Sequence, residues 1–386
     1  MKITDSIIYV GVNDRDKKLF EGQYPIPDGI SYNSYIILDE RIAVMDSVDA
    51  DFGDEWLANV RAVLGDRAPD YLVVSHMEPD HSANISLLAK SYPDMKIVSS
   101  AKAFSMMRGF FGEEYADRRI VVSDGSTLSL GEHELSFVTA PMVHWPEVIM
   151  SYDKKDKVLF SADAFGKFGV PGSIGEWADE ARRYYFGIVG KYGAQVQGIL
   201  KKVAAFDISV ICSLHGPVLD SNIGYYVSLY DKWSKYESEA RSVTVAYASV
   251  YGNTRRAAEI LRDELLRLGT EVELVDLNLV DKSYAIASAF KSSALVLVSV
   301  TYNGDVFPSM RGFIEGLIER GYTKRPIGLI ENGSWAPMAA KVMRGMLDSA
   351  RGVEILESVP KIMSAPSTES ESAIRALAAE LNEKIN

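Results

Sequence analysis

Residues 75–84 read Ser-His-Met-Glu-Pro-Asp-His-Ser-Ala-Asn, which places His76, Glu78, Asp80 and His81 within six positions. Imidazole and carboxylate groups at that density are metal-ligand chemistry. Pro79 bars a regular helix through the run, so the spacing predicts a loop that aims its side chains in two directions. Three further candidates stand singly along the chain: His144, Asp163 and His215. The remaining histidine of five, His133, falls in the turn 131–134, where an exposed polar residue is the expectation. Three or four imidazoles and three carboxylates are too many for one tetrahedral zinc and suit two ions that share a carboxylate. Nitrogen and oxygen donors without thiolate suit iron, manganese or zinc, and the richness in carboxylate favours iron.

A second set lies in the other half of the chain. Ser249, Val250, Tyr251, Gly252, Asn253 and Thr254 stand between an apolar run and a helical pattern. Hydroxyls at both ends of a tight loop, a glycine between them and a helix N-terminus behind make a phosphate cradle that needs no lysine. Alone, that loop reads equally well as an ordinary helix cap. It is neither a GxGxxG fingerprint nor a P-loop. Two more loops follow apolar runs in the same half: Thr301, Tyr302, Asn303 and Gly304, then Asn332, Gly333, Ser334 and Trp335. Each pairs an aromatic side chain with a glycine that lets the backbone approach a flat ring. All three loops fall at strand C-termini, where doubly wound sheets bind their ligands.

The elements that must position these residues can be read from the apolar runs. In the first half, runs at 36–38 and 42–45 predict a hairpin, 51–64 a helix, and 71–74, 96–98, 135–139, 158–161 and 208–212 further strands. The strands at 71–74, 135–139, 158–161 and 208–212 each end just before a metal candidate. In the second half, strands at 243–248, 272–277, 295–300, 327–330 and 354–359 alternate with helical patterns. That alternation predicts a doubly wound α/β layout with a parallel five-stranded sheet. The expected division is 1–240 and 241–386, with a charged linker at 231–242.

Composition narrows the classes. The chain has 386 residues, a net charge of −12 and one cysteine, Cys212. The negative balance argues against nucleic acid as a partner. A single cysteine excludes an intrachain disulfide, a thiolate iron–sulfur cluster and a CxxC motif. No signal-peptide pattern and no apolar stretch of membrane-spanning length occurs, so the expectation is a cytoplasmic protein with no membrane partner.

The run His76-x-Glu78-x-Asp80-His81, with His144, Asp163 and His215 following, resembles the metallo-β-lactamase fold, and more narrowly the flavodiiron proteins. Hydrolases of that fold typically carry histidine where this chain has Glu78. The flanking segments 141–147, 160–166 and 214–217 agree. The three later loops resemble those of a flavodoxin, with Tyr251 suiting the fused domains of flavodiiron proteins better than free-standing flavodoxins.

The resemblance implies an N-terminal αββα sandwich with two iron ions per chain and a C-terminal flavodoxin-like domain with FMN. One iron would be held by His76, Glu78 and His144, the other by Asp80, His215 and His81, with Asp163 bridging. The position of His81 ligates in some relatives and is turned away in others. Ser249 and Thr254 would hold the FMN phosphate, and the later loops its ring. The implied reaction is reduction of dioxygen to water, or of nitric oxide to nitrous oxide. The implied assembly is a head-to-tail homodimer, or a tetramer built from it.

One cysteine cannot build a rubredoxin site, so the electron donor is expected to be a separate rubredoxin-type protein or a reduced deazaflavin. The rival reading is a dizinc hydrolase with a flavodoxin-like docking domain, against which Glu78 speaks.

Overall fold

The computed structural model describes residues 1–386, which form two compact units, Met1–Asp231 and Lys232–Asn386. In the first unit the hairpin strands Tyr35–Ile37 and Ala43–Met45 are antiparallel, and Tyr71–Val73, Lys96–Ser100 and Arg119–Val122 continue the sheet in parallel. Strand Ile7–Tyr9 closes the other edge, giving six strands. A second sheet of five runs Thr127–Ser129, Glu134–Thr139, Ile149–Asp153, Val158–Phe160 and Val210–Cys212.

Side chains alternate across each strand, and this divides the core. Tyr35, Ile37, Val73 and Val98 of the first sheet meet Leu135, Phe137, Ile149 and Phe160 of the second in one buried cluster. The opposite face of the first sheet, with Ile36, Val44, Leu72 and Ile97, packs on Trp56, Val60, Leu88, Phe104 and Met107 from three helices. These helices are Gly53–Leu64, Ile85–Ser91 and Ala101–Phe111. On the outer side of the second sheet, Met150 faces Val196, Ile199 and Val203 of helix Gly193–Val203. The order is therefore helix, sheet, sheet, helix.

In the second unit, strands lie in the order Glu271–Asp276, Ala240–Ala248, Ser292–Tyr302, Pro326–Gly333, then Glu354–Ile355 with Lys361–Met363, all parallel. By sequence this is 2-1-3-4-5, the flavodoxin-like order, whose switch point between the first and third strands is the usual ligand crevice. The fifth strand, expected as one run at 354–359, is instead two short pieces. Pro360 supplies no N–H to a ladder, but its carbonyl accepts from Glu331 N at 3.1 Å, and pairing resumes from there through Lys361–Met363.

Further sequence expectations are corrected. Residues Pro79–Ser82 form a helical turn rather than a loop, because Pro79 sits at its first position, where a missing N–H costs nothing. The linker expected at 231–242 is mostly regular structure: helix Ile223–Ser234 runs into it and strand Ala240–Ala248 begins inside it. Strand Ile149–Asp153, the middle of the second sheet, was not expected; all five of its residues are buried, so no alternation marks it.

His133 is also not an exposed turn residue. It is fully buried, with Nδ1 3.0 Å from Asp153 Oδ1 and Nε2 2.8 Å from Ser6 Oγ. The turn folds onto the N-terminal segment, and Asp39 accepts the His133 N–H at 2.6 Å.

The core of the second unit draws only on its own residues, including Val245, Leu261, Val296, Ile330 and Leu377. Residues 232–386 expressed alone are expected to melt in one cooperative transition. Leu377 is fully buried, and a Cβ added at Gly328 would lie only 3.3 Å from it. Leu377→Ala should therefore lower the stability of that fragment by about 2–5 kcal/mol in denaturant titration.

Candidate metal centre and cofactor pocket

The two sheets of the first unit meet at one rim, where Ile149 N donates to Ser75 O at 3.0 Å. The loops on that rim carry the candidate ligands. His76 follows strand Tyr71–Val73, and Asp80 and His81 sit on the helical turn. His144 lies between strands Glu134–Thr139 and Ile149–Asp153, Asp163 follows Val158–Phe160, and His215 follows Val210–Cys212. Adjacent loops are tied together, Ser161 N to Cys212 O at 3.1 Å and Leu214 N to Ala162 O at 2.9 Å. Met142, Ala162 and Phe165 all adopt left-handed backbone, at φ 65°, 51° and 66°. Such conformations cost energy in non-glycine residues and gather where a geometry is imposed by function.

All seven predicted metal residues come together, in two sets. His76, Glu78, His144 and Asp163 converge, as do Asp80, His81 and His215. In the first set His76 Nε2 is 3.2 Å from His144 Nε2, His144 Nε2 is 3.0 Å from Glu78 Oε2, and Asp163 Oδ2 is 2.8 Å from His144 Nε2. In the second, His81 Nε2 lies 3.0 Å from His215 Nε2, and both are 3.4 Å from Asp80 Oδ2. Asp163 Oδ1 is 3.4 Å from His81 Nε2. The two oxygens of one carboxylate thus face the two sets.

Hydrogen bonds within the protein do not explain this packing. Neither oxygen of Asp80 makes one, nor does Oδ1 of Asp163, and all three atoms are buried. An unpaired buried carboxylate is expensive. Donor atoms that share one ion at ~2.1 Å stand ~3.0 Å apart at right angles, which is the spacing seen here.

The electrostatics agree. Burial works against charge on His76, yet Asp163, Glu147 and Glu78 together outweigh it and hold that group well above the histidine range. His144 is pushed up to about 9, again against burial, by Asp163 and Glu78. Asp163 is held well below the carboxylate range, chiefly by His76 in opposition to burial. The cluster therefore demands positive charge at its centre, and two cations fit it.

A third set, His133, Asp153 and Asp156, lacks these signs. Both ring nitrogens of His133 already have partners, and Asp156 accepts from Ser6 Oγ at 3.1 Å.

Sequence reasoning missed the groups behind the ligands. Glu147 Oε1 is 2.8 Å from His76 Nδ1 and also accepts the Met77 N–H at 2.8 Å. His215 Nδ1 lies 2.7 Å from Ser31 O. Both contacts leave Nε2 as the donor toward the centre. Asp46, whose Oδ1 accepts from Ser75 N at 2.6 Å, lies beside both His76 and His81, and burial pushes its carboxyl up to about 6.

In the second unit the three loops surround a cleft of about 520 Å³. Val250, Tyr251, Asn253, Thr254, Thr301, Tyr302, Asn303, Gly304, Asn332, Gly333, Ser334 and Trp335 line it. Of the residues expected there, Ser249 and Gly252 do not. Ser249 Oγ instead accepts from Gly252 N at 3.2 Å and shapes the turn, while Gly252 starts helix Asn253–Arg267 with φ 91°.

Thr254 Oγ1 accepts from Asn332 Nδ2 at 3.2 Å, linking the first loop to the third. The Thr301 hydroxyl accepts from Met338 N at 2.8 Å and Ala339 N at 3.1 Å, at the start of helix Ala339–Leu347. No charged side chain lines the cleft, so an anion there would rely on backbone N–H groups and hydroxyls. Tyr251 and Trp335 are 95% and 90% exposed, so neither is a core aromatic, and both remain available to a flat ligand. Val300, Ala336, Met338 and Ser364, which the sequence did not mark, complete the lining.

Residues 30–216 match the family model described as ODP family beta lactamase, and residues 245–376 match the flavodoxin model. The chain is 28% identical over 375 residues to the nitric oxide reductase of Moorella thermoacetica, covering 94% of this chain and 93% of that one. It is 30% identical over 287 residues to diflavin flavoprotein A 1 of Synechocystis, covering 72% of this chain but only half of that longer one. The fold matches rubredoxin oxygen:oxidoreductase of Desulfovibrio gigas with TM-score 0.91 and 24% identity, over 100% of this chain and 98% of that one.

The chain belongs to the flavodiiron proteins. For this flavodiiron protein the metal centre is expected to hold the first unit together as well as to react. Chelation should lower the melting temperature of the Met1–Asp231 unit and leave the other transition in place, because only the first gives up bound ions. Asp163→Ala should abolish both metal positions, measured as metal per chain after desalting. In the cofactor cleft, a Cβ at Gly333 would stand 2.9 Å from Pro337 Cα, so backbone must move. Gly333→Ala should weaken FMN binding in a fluorescence titration while the first unit keeps its metal.

Proposed function

We propose that this flavodiiron protein is an oxidoreductase that reduces dioxygen to water, nitric oxide to nitrous oxide, or both, at two irons fed through FMN. The observation that carries this reading is the Asp163 carboxylate, with Oδ2 turned to the set of His76, Glu78 and His144 and Oδ1 to His81 and His215 of the other set. In the proposal His76, Glu78 and His144 would hold one iron and Asp80, His81 and His215 the other, with Asp163 shared between them. His81 counts as a ligand because its Nε2 points at the same point as His215 and Asp80. Support also comes from the relatives, one named a nitric oxide reductase and one a rubredoxin oxygen:oxidoreductase.

A pair of irons supplies redox-active positions at which a diatomic gas can bind, and FMN supplies electrons in pairs. The protein's own part is positioning and exclusion. Glu147 and the Ser31 carbonyl fix two imidazoles with Nε2 inward. The rings of Phe20, Tyr32 and Tyr184 stand 5.4, 6.0 and 5.5 Å from the His215 ring and wall that side against bulk water. Glu78, carboxylate rather than imidazole, would add negative charge that favours the ferric state of an iron held there. In the cleft of the second unit, Thr254 and the N-terminus of helix Asn253–Arg267 would receive the FMN phosphate, and Tyr251, Tyr302 and Trp335 its ring.

The electron donor in this proposal is a separate rubredoxin-type protein or a reduced deazaflavin, and the working unit is a head-to-tail homodimer in which the flavin of one chain serves the irons of the other. Anaerobic reduction followed by stopped-flow mixing with each gas tests the reaction. Flavin and iron should reoxidise together within milliseconds to seconds with at least one of the two gases. Protein that carries two zinc ions and no iron, and stays reduced with both gases, overturns it.

Subunit mixing tests the arrangement. A chain with His76→Ala and Asp163→Ala is combined with a chain carrying Thr254→Trp. Neither alone should turn over, and the heterodimer should regain up to half the native rate. Heterodimers that form yet stay at background would show that electrons pass within one chain.

A further inference from the structure

The two ligand sets are matched in the residues that face the centre and unmatched in what stands behind them. Each has one carboxylate of its own, Glu78 or Asp80, and Asp163 turns Oδ2 to the first set and Oδ1 to His81 and His215 of the second, at 3.4 and 3.8 Å. Behind His76 stands Glu147, a side chain with no exposure to water, its Oε1 2.8 Å from Nδ1. That oxygen also accepts the Met77 N–H, and Oε2 has no partner, so no other cation of the protein shares its charge. Behind His215 stands only a neutral carbonyl, Ser31 O, at 2.7 Å. His81 Nδ1 is buried with no hydrogen-bond partner at all. Asp46 does not take the place of such a partner at His81, because its Oδ1 accepts from Ser75 N and it hydrogen-bonds neither ring.

A carboxylate on the far nitrogen of a ligating imidazole pulls its proton, makes the other nitrogen a stronger donor and adds negative charge near the metal. A neutral carbonyl does this weakly, and an unpartnered N–H not at all. We propose that Glu147 is a positioning residue that makes the two metal positions unequal, so that the one formed by His76, Glu78 and His144 takes its iron first and holds it more tightly. The inference rests on the diiron reading of this centre. It concerns the order and strength of loading, which that reading leaves open.

The test uses the full-length protein freed of metal and titrated anaerobically with ferrous iron enriched in 57Fe, read by chelator competition and Mössbauer spectroscopy. Native protein should fill in two separate steps, with one quadrupole doublet growing before the second. Equal binding constants in native protein overturn the proposal without any variant. Glu147→Gln retains an oxygen to accept from His76 Nδ1 and from Met77 N but loses the charge. It should weaken the tighter step 10- to 100-fold and leave the weaker step unchanged.

Glu147→Ala separates charge from mere support. If the alanine variant loses the tighter step while the glutamine variant loads like native protein, Glu147 is only a prop and the inference is wrong. Native protein that binds no iron at all overturns the diiron reading, and this inference with it. Two equal sites would refute the inequality alone.

Discussion

A single buried carboxylate organises the first unit. Asp163 is enclosed from water, its two oxygens face two groups of ligand atoms, and one of those oxygens has no hydrogen bond. Asp80, a few ångströms away, has none for either oxygen. Such charges could not remain in an apolar fold unless something positive offset them. Raised imidazole pKa values around Asp163 express the same demand. Cations held by the two sets would answer it for both carboxylates at once.

The sandwich follows from that requirement. One sheet delivers His76 and the turn with Asp80 and His81, and the other delivers His144, Asp163 and His215. The layers are locked by apolar packing of Ile37, Val73, Phe137 and Phe160, so the rim loops begin from fixed points. Bonds between neighbouring loops and left-handed residues at Met142, Ala162 and Phe165 then set the last few degrees. Precision of this kind depends on rigid elements under the site and on supporting groups behind it. The second unit solves a different problem, since its cleft must accept a flat ring and a phosphate without a fixed charge.

Much of this was legible in the residues. Four candidate ligands inside six positions announce a metal, and the remaining three stand where strands end. The phosphate loop and two aromatic loops could be placed because the strands before them are regular and apolar. What stayed hidden has physical reasons. Glu147 lies in the same loop as His144, but glutamate is common on surfaces and nothing local marks this one as buried. The Ser31 contact uses a backbone carbonyl, which sequence does not distinguish. Ile149–Asp153 is covered on both faces, so it lacks the alternation that reveals a half-buried strand. His133 is buried by the N-terminal segment, more than a hundred positions away. Pro79 illustrates a rule applied at the wrong position, since proline opposes a helix interior and favours its first residue.

The most direct measurement is anomalous diffraction from crystals of the native protein, recorded on both sides of the iron edge. Two iron peaks should flank Asp163, ~3.5–4 Å apart as in other two-metal sites, one against His76, Glu78 and His144 and one against Asp80, His81 and His215. A single peak, or peaks that persist below the iron edge and respond only at the zinc edge, would contradict a diiron centre bridged by Asp163.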